Sequence, residues 1–202
     1  FDGKLKYEGE YLVGKRNGKG KEYYSDDKLK YEGDYLNGKR WNGKGYNKKG
    51  EIDFEIKEGN GKGKEYNSDG ELEFEGEYLN GERIGKGIEY DYGCQLKFEG
   101  EYLNGKRNGK GKECDLFDRL LFEGEYLNEK RNGKGKEYFS DGKLKFEGEF
   151  LNGSKTGAVK EYYSNGELEF EGKYLNGKKN GKGKEYFSDG KLKYEGEYLN
   201  GK

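Results

Sequence analysis

The feature that most constrains this chain is a short unit repeated along its whole length. An aromatic residue followed by glutamate recurs at Tyr7, Tyr31, Phe54, Phe74, Phe98, Phe122, Phe146, Phe170 and Tyr194, at intervals of 24, 23 and 20 residues and then 24 five times. A typical unit, residues 141–164, reads DGKLKFEGEFLNG, then a variable link, then a second strand-like run ending KEYYS. Eight full units and a ninth half-unit fill the 202 residues, so one repeat array over 1–202 is expected. Self-similarity of this kind means that each unit buries its core against its neighbours. The array starts at Phe1, holds no Met and stops at Lys202 in the middle of a hairpin, so it reads as a window on a longer array.

Within a unit, two strand-like runs alternate with two turn signals. Asn-Gly, as at Asn104-Gly105 and Asn176-Gly177, favours a tight hairpin with positive φ, and Ser140 to Lys143 forms a second turn. Strands joined at both ends by short turns are antiparallel neighbours. The expected fold class is therefore all-β: an elongated single-layer antiparallel β-meander of about eight and a half 24-residue hairpin repeats. Some seventeen strands in one continuous sheet, at ~4.8 Å each, would span on the order of 80 Å.

The charges specify a register. With Gly100 opposite Gly111 and Gly111 opposite Gly124, Glu99 faces Lys112, and the row continues Glu123, Lys136, Glu147, Lys160, Glu171, Lys184, Glu195 with unbroken alternation of sign. A second row runs Glu101, Lys110, Glu125, Lys134, Glu149 and breaks at Ala158. Opposite charges across a ladder favour pairing, and a one-residue slip would turn the faces over. The other face gathers Leu96, Phe98, Gly100 and Tyr102, with rings lying flat over glycines that have no Cβ. Strict alternation puts Glu113 on that apolar face and Tyr138 on the charged one, so a bulge after Gly-Lys-Gly is expected to move them.

Composition removes several function classes. The chain is 40% charged and only 29% hydrophobic, which suggests disorder, but 16% of it is aromatic, which disordered segments are not. Basic and acidic residues balance at 40 to 41, so no overall field attracts nucleic acid or an anionic bilayer. No stretch of ~18 apolar residues encodes a spanning helix. With no His and only Cys94 and Cys114, neither a metal site nor a disulfide framework is expected, and no cofactor. Gly-Lys-Gly, at Gly18, Gly109, Gly133 and elsewhere, lies in a strand and never opens a helix, so it reads as structure and not as a phosphate loop. Paired carboxylates such as Glu99 and Glu101 recur in nearly every unit with no nucleophile beside them, so no enzyme is expected. Free thiols favour a reducing compartment, whereas Asn152-Gly153-Ser154 is a glycosylation sequon, and localisation stays open.

The run Tyr/Phe-Glu-Gly-Glu-Tyr-Leu-Asn-Gly-Lys-Arg-Asn-Gly-Lys-Gly, clearest at 98–111, 122–135 and 170–183, resembles the MORN repeat over essentially the whole chain. The lysine-rich second strand also resembles the divergent MORN-like repeats of bacterial immunity-type proteins. The resemblance implies extended single-sheet scaffolds that dimerise, polymerise or sometimes contact membranes, and it carries over no catalytic residue. Two functions follow as expectations. The first is a non-enzymatic structural scaffold that associates with itself, through unpaired edges at 1–12 and 191–200 or through an aromatic face that no second layer covers. The second is a protein-binding module, immunity-type or membrane-proximal, that presents one face to a partner. Where the repeat breaks, Trp41, read as an insertion in a hairpin loop, and Leu116, Phe117, Leu120 and Leu121, which replace a polar turn, are the candidate interface residues.

Overall fold

A computed structural model describes residues 4–202. The chain divides into two compact units, one ending at Lys106 and one running Arg107–Lys202. Among the described residues the strands follow one another in chain order with no α-helix between them, only a 3-10 turn at Tyr92–Cys94.

The first unit opens with a five-stranded antiparallel sheet: β1 (Tyr7–Leu12), β2 (Lys15–Tyr23), β3 (Leu29–Leu36), β4 (Lys39–Tyr46) and β5 (Ile52–Ile56). A second antiparallel run follows: β6 (Gly61–Tyr66), β7 (Leu72–Leu79), β8 (Glu82–Asp91) and β9 (Gln95–Leu103). The expected continuous sheet is interrupted here. Between β5 and β6 the ladder shrinks to a single bridge, Lys57 to Asn60. Four residues are missing from this repeat, and the carbonyls of Lys64 and Tyr66 on β6 accept hydrogen bonds from the side chains of Arg40 and Lys30. Side chains of β3 and β4 thus satisfy backbone groups that a full-length β5 would have paired.

The second unit holds the regular repeats: β10 (Lys106–Cys114), β11 (Leu120–Leu127), β12 (Lys130–Tyr138), β13 (Leu144–Leu151), β14 (Ser154–Tyr162), β15 (Leu168–Leu175), β16 (Lys178–Tyr186) and β17 (Leu192–Tyr198). Each pairs with the next in antiparallel register. Gly111 lies opposite Gly124, and Gly124 opposite Gly135, as the charges predict. The first charge row holds throughout this unit, from Lys112 opposite Glu123 to Lys184 opposite Glu195. The second row does not. Asn132, Gly133 and Lys134 bulge out between Arg131 and Gly135, so Lys134 faces Glu149 but not Glu125, and Glu149 faces Thr156.

The core is a line of rings. Phe122, Phe146 and Phe170 are fully buried, each edge-on to the second aromatic of its own strand, Tyr126, Phe150 and Tyr174, at 5.3–5.7 Å between centroids. Edge-to-face packing at this distance is the favourable geometry for ring quadrupoles. Phe122 lies over the ladder glycines Gly124 and Gly135 and Phe170 over Gly172 and Gly183, whereas Phe146 meets Gly148 and, opposite it, Val159. The aromatic face expected to stand open is therefore closed by the chain's own side chains.

Candidate interaction surface

The ring face carries a polar network that strict strand alternation implies and the expected bulge would have removed. Gly111, Lys112 and Glu113 pair consecutively with Gly124, Glu123 and Phe122; the register does shift after Gly-Lys-Gly, but only beyond Glu113, where Cys114 pairs with Leu120, so Glu113 stays on the ring face. It is tolerated because it is held on several sides. Tyr126 Oη donates to its carboxylate at 2.7 Å, and the Arg131 guanidinium pairs with it while lying 4.0 Å over the Phe122 ring. Burial alone would raise the Glu113 pKa, but the bonds from Arg131 and Tyr126 and the charges of Arg131 and Arg107 bring it below the ordinary value. Arg131 also reaches Glu137 at 2.9 Å, and Lys155 bridges Glu137 and Glu161 at 3.1 and 3.3 Å while covering Phe146 at 3.9 Å. One cation per hairpin thus roofs a ring and ties together the acids of two repeats, joining cation–π attraction to charge-assisted hydrogen bonds.

In the first unit the same motif gathers two arginines at Glu22. It accepts from Tyr35 at 2.7 Å and pairs with Arg40 at 2.7 Å and Arg16 at 2.8 Å. Burial would raise its pKa, but the Arg40 charge and hydrogen bond, then Tyr35 and Arg16, pull it down to about 2. On the opposite face Tyr138 and Tyr162 donate to Glu123 at 2.6 Å and Glu147 at 2.7 Å. These phenols are raised to about 12 by desolvation and by the bond to the neighbouring carboxylate. Carboxylates on both faces are thus engaged by arginine, lysine and tyrosine. No cluster of three potential metal ligands exists among the described residues.

A third network lies at the hairpin tips. Asn152 and Gly153 have φ of 51° and 89°, the positive pair that a tight hairpin turn demands. The Gly153 N–H donates to the Arg131 carbonyl at 2.8 Å, and the Asn152 N–H to Asn132 Oδ1 at 3.1 Å, both one repeat back. The sequon asparagine thus sits at an exposed tip. The second-strand asparagine was not recognised from sequence as a functional position; its recurrence three residues before the ladder glycine, as in Asn108 and Gly111 or Asn132 and Gly135, is the signal that marks it.

These repeated units match the description MORN repeat at residues 7–28, 74–92, 98–114 and 170–191, and MORN repeat variant at 60–80, 131–152 and 155–176. Together the segments cover well over half of the chain. The chain belongs to the MORN-repeat family. No curated protein matches it significantly. MORN repeats are structural and binding repeats, generally scaffolds for proteins or membranes and not enzymes.

Of the candidate interface residues, the structure groups four and separates one. Trp41 lies within β4, not in a loop: Arg40 faces Tyr35, Asn42 faces Asp34, and Trp41 is the bulged residue between them. Its carbonyl accepts from the Gly59 N–H at 2.7 Å and its ring packs on Gly59, so it is half-buried in the first unit. Leu116, Phe117, Leu120 and Leu121 lie together at the turn between β10 and β11. Leu116 is 55% exposed and Phe117 75%, and Leu120 is half-buried. The turn keeps the geometry of its polar counterparts. Asp115 Oδ1 accepts from the N–H groups of Phe117 and Arg119 at 2.9 and 3.1 Å, and Asp118 adopts the positive φ, 57°, that Gly142 supplies in the next repeat. Arg119 closes it, 2.6 Å from Asp115 and 4.9 Å over the Phe117 ring. The two cysteines are free, and no helix among the described residues is long and apolar enough to cross a membrane.

Proposed function

We propose that this MORN-repeat chain is a non-enzymatic scaffold that associates with further copies of itself through the apolar turn at 115–121. The observation that carries the reading is a pair of exposed apolar side chains, Leu116 and Phe117, on a turn held rigid by Asp115 and Arg119. A rigid, desolvatable ring is what a binding hot spot requires, since little side-chain entropy is lost on contact. The ring face offers less, because its interior aromatics such as Phe98, Phe122, Phe146 and Phe170 are already buried and the exposed rings Tyr11 and Tyr194 lie on the end strands β1 and β17. Pairing β1 with β17 does not serve. Both strands carry Glu-Gly-Glu, so antiparallel pairing would set carboxylate against carboxylate.

A contact of a few side chains on each copy falls well below the ~800 Å² per partner of a standard interface, so association is expected to be weak and concentration-dependent. Light scattering coupled to size-exclusion chromatography tests this over a wide concentration range. The apparent mass should rise with concentration, and Phe117→Ser should abolish the rise without loss of β-sheet circular dichroism. A protein that stays monomeric at the highest concentration would leave partner binding as the function.

A further inference from the structure

A different surface carries an inference about partner chemistry. On each hairpin the leucine that closes the first strand points away from the rings and stays about half exposed: Leu127, before Asn128-Glu129, at 47%, and Leu151 and Leu175, before Asn-Gly, at 54% and 51%. The aromatic that packs on the ring face of each strand is its neighbour, Tyr126 and Phe150 buried and Tyr174 half-buried, so the leucine lies on the other face. The residues facing these leucines are Lys130, Ser154 and Lys178. Interior lysines on the same face stand opposite glutamates, as Lys136 does, but Lys130 and Lys178 face leucine, are exposed, and have no carboxylate of the described residues within ion-pair distance. The tips are locked in sequence by Gly153 N–H to the Arg131 carbonyl and Gly177 N–H to the Lys155 carbonyl. The result is a margin along the second unit in which the leucines alternate with Lys130, Ser154 and Lys178, so that a lysine stands at either side of the central Leu151-Ser154 pair.

We propose that this margin binds a partner protein through an acidic amphipathic helix. Successive leucines are two strands apart, roughly 10 Å at ~4.8 Å per strand. Residues seven apart on an α-helix rise ~10.5 Å, so a helix with an apolar residue at each heptad position lays one side chain beside each of Leu127, Leu151 and Leu175. Helix-in-groove recognition uses such spaced apolar anchors. The lysines set the sign of the flanks: glutamates beside the apolar stripe would meet Lys130 and Lys178, and lysines there would be repelled. The same charges disfavour a second copy of this margin as the occupant.

The test uses the full chain and a synthetic helix-forming peptide with leucine at every seventh position and flanking glutamates. Its control has lysine for each glutamate. Fluorescence anisotropy should show saturable binding of the acidic peptide that weakens with salt. The basic peptide should bind at least about tenfold more weakly. Leu151→Ser with Leu175→Ser should weaken the acidic peptide by about tenfold or more while thermal unfolding is nearly unchanged, since these side chains are half exposed already. Lys130→Ala with Lys178→Ala should weaken it and flatten the salt dependence. Absence of binding, equal binding of the two peptides, or binding unaffected by the leucine variants would each overturn the proposal. So would flotation with phosphatidylserine vesicles that the leucine variants abolish while the acidic peptide fails to bind, which would make the margin a lipid surface.

Discussion

Gly135 shows at the residue scale how the ring line constrains the backbone. A Cβ built there would stand 2.6 Å from the Phe122 ring and 3.1 Å from the Phe150 ring. Its φ is not in the left-handed region, so the constraint is steric alone. Gly135→Ala should cost about 1–3 kcal/mol, the usual penalty of overpacking, measured by urea unfolding. Arg131 shows the polar side of the same site. Arg131→Ala uncovers Phe122 and leaves Glu113 and Glu137 without their shared cation; at a half-buried position the expected loss is about 2 kcal/mol, between the surface and buried limits. Glu22 gives a pH signature. Its pKa in the fold is about 2 against an ordinary 4.5, so the folded state binds fewer protons than the unfolded one. The sign follows: its contribution is complete above about pH 4.5 and is lost as pH falls towards about 2, a total of about 3 kcal/mol. Denaturation of the wild type and Glu22→Gln from about pH 6 down to about pH 3 should show the gap between them narrowing. A constant gap would contradict the assignment.

At the scale of the element, the ladder follows the charges where strands pair and departs where they bulge. Lys136 stands between Glu123 and Glu147. Lys136→Glu puts three carboxylates in a row and should destabilise the second unit by about 1 kcal/mol at low salt, less at high salt. The acids of this row also accept phenol hydrogen bonds, and Lys184 to Glu195 at 3.3 Å is one of the few pairs of the row in direct contact. The bulge at 132–134 has a role of its own. It frees Asn132 to accept from the next tip, so the interruption of one ladder creates the bond that stacks the hairpins.

At the scale of the molecule, each regular repeat interacts with its neighbours, whereas in the first unit some contacts reach further, as from Ser25 to Ser68 and Asp69. Gly87 lies against Phe74 and Tyr102, whereas Gly183 lies against Phe170 and Tyr198, with no shared partner. Stability in such arrays is a sum of local and nearest-neighbour terms. The destabilisation from Gly87→Ala and Gly183→Ala should therefore add to within ~0.5 kcal/mol in the double variant, provided unfolding remains two-state. A larger discrepancy would mean coupling that neighbour contacts do not carry.

The sequence by itself determined the strand order, the hairpin turns and most of the register, because repetition, Asn-Gly turns and alternating charge are local signals that agree with one another. It also located the apolar turn at Leu116 and Phe117, since that run breaks an otherwise polar pattern. Glu113 was legible as a conflict, an acid on an apolar face, but its resolution was not. Strand periodicity shows which face a side chain takes, and only the packed sheet shows that Arg131 and Tyr126 from neighbouring strands are waiting there. The break between β5 and β6 has the same origin. A four-residue deletion announces an irregularity, but whether the ladder closes over it depends on Arg40 and Lys30 reaching the β6 carbonyls from two strands that are distant in sequence. Trp41 belongs with these cases, since whether an inserted residue loops out or bulges within a strand is decided by the partner strand that remains paired on either side.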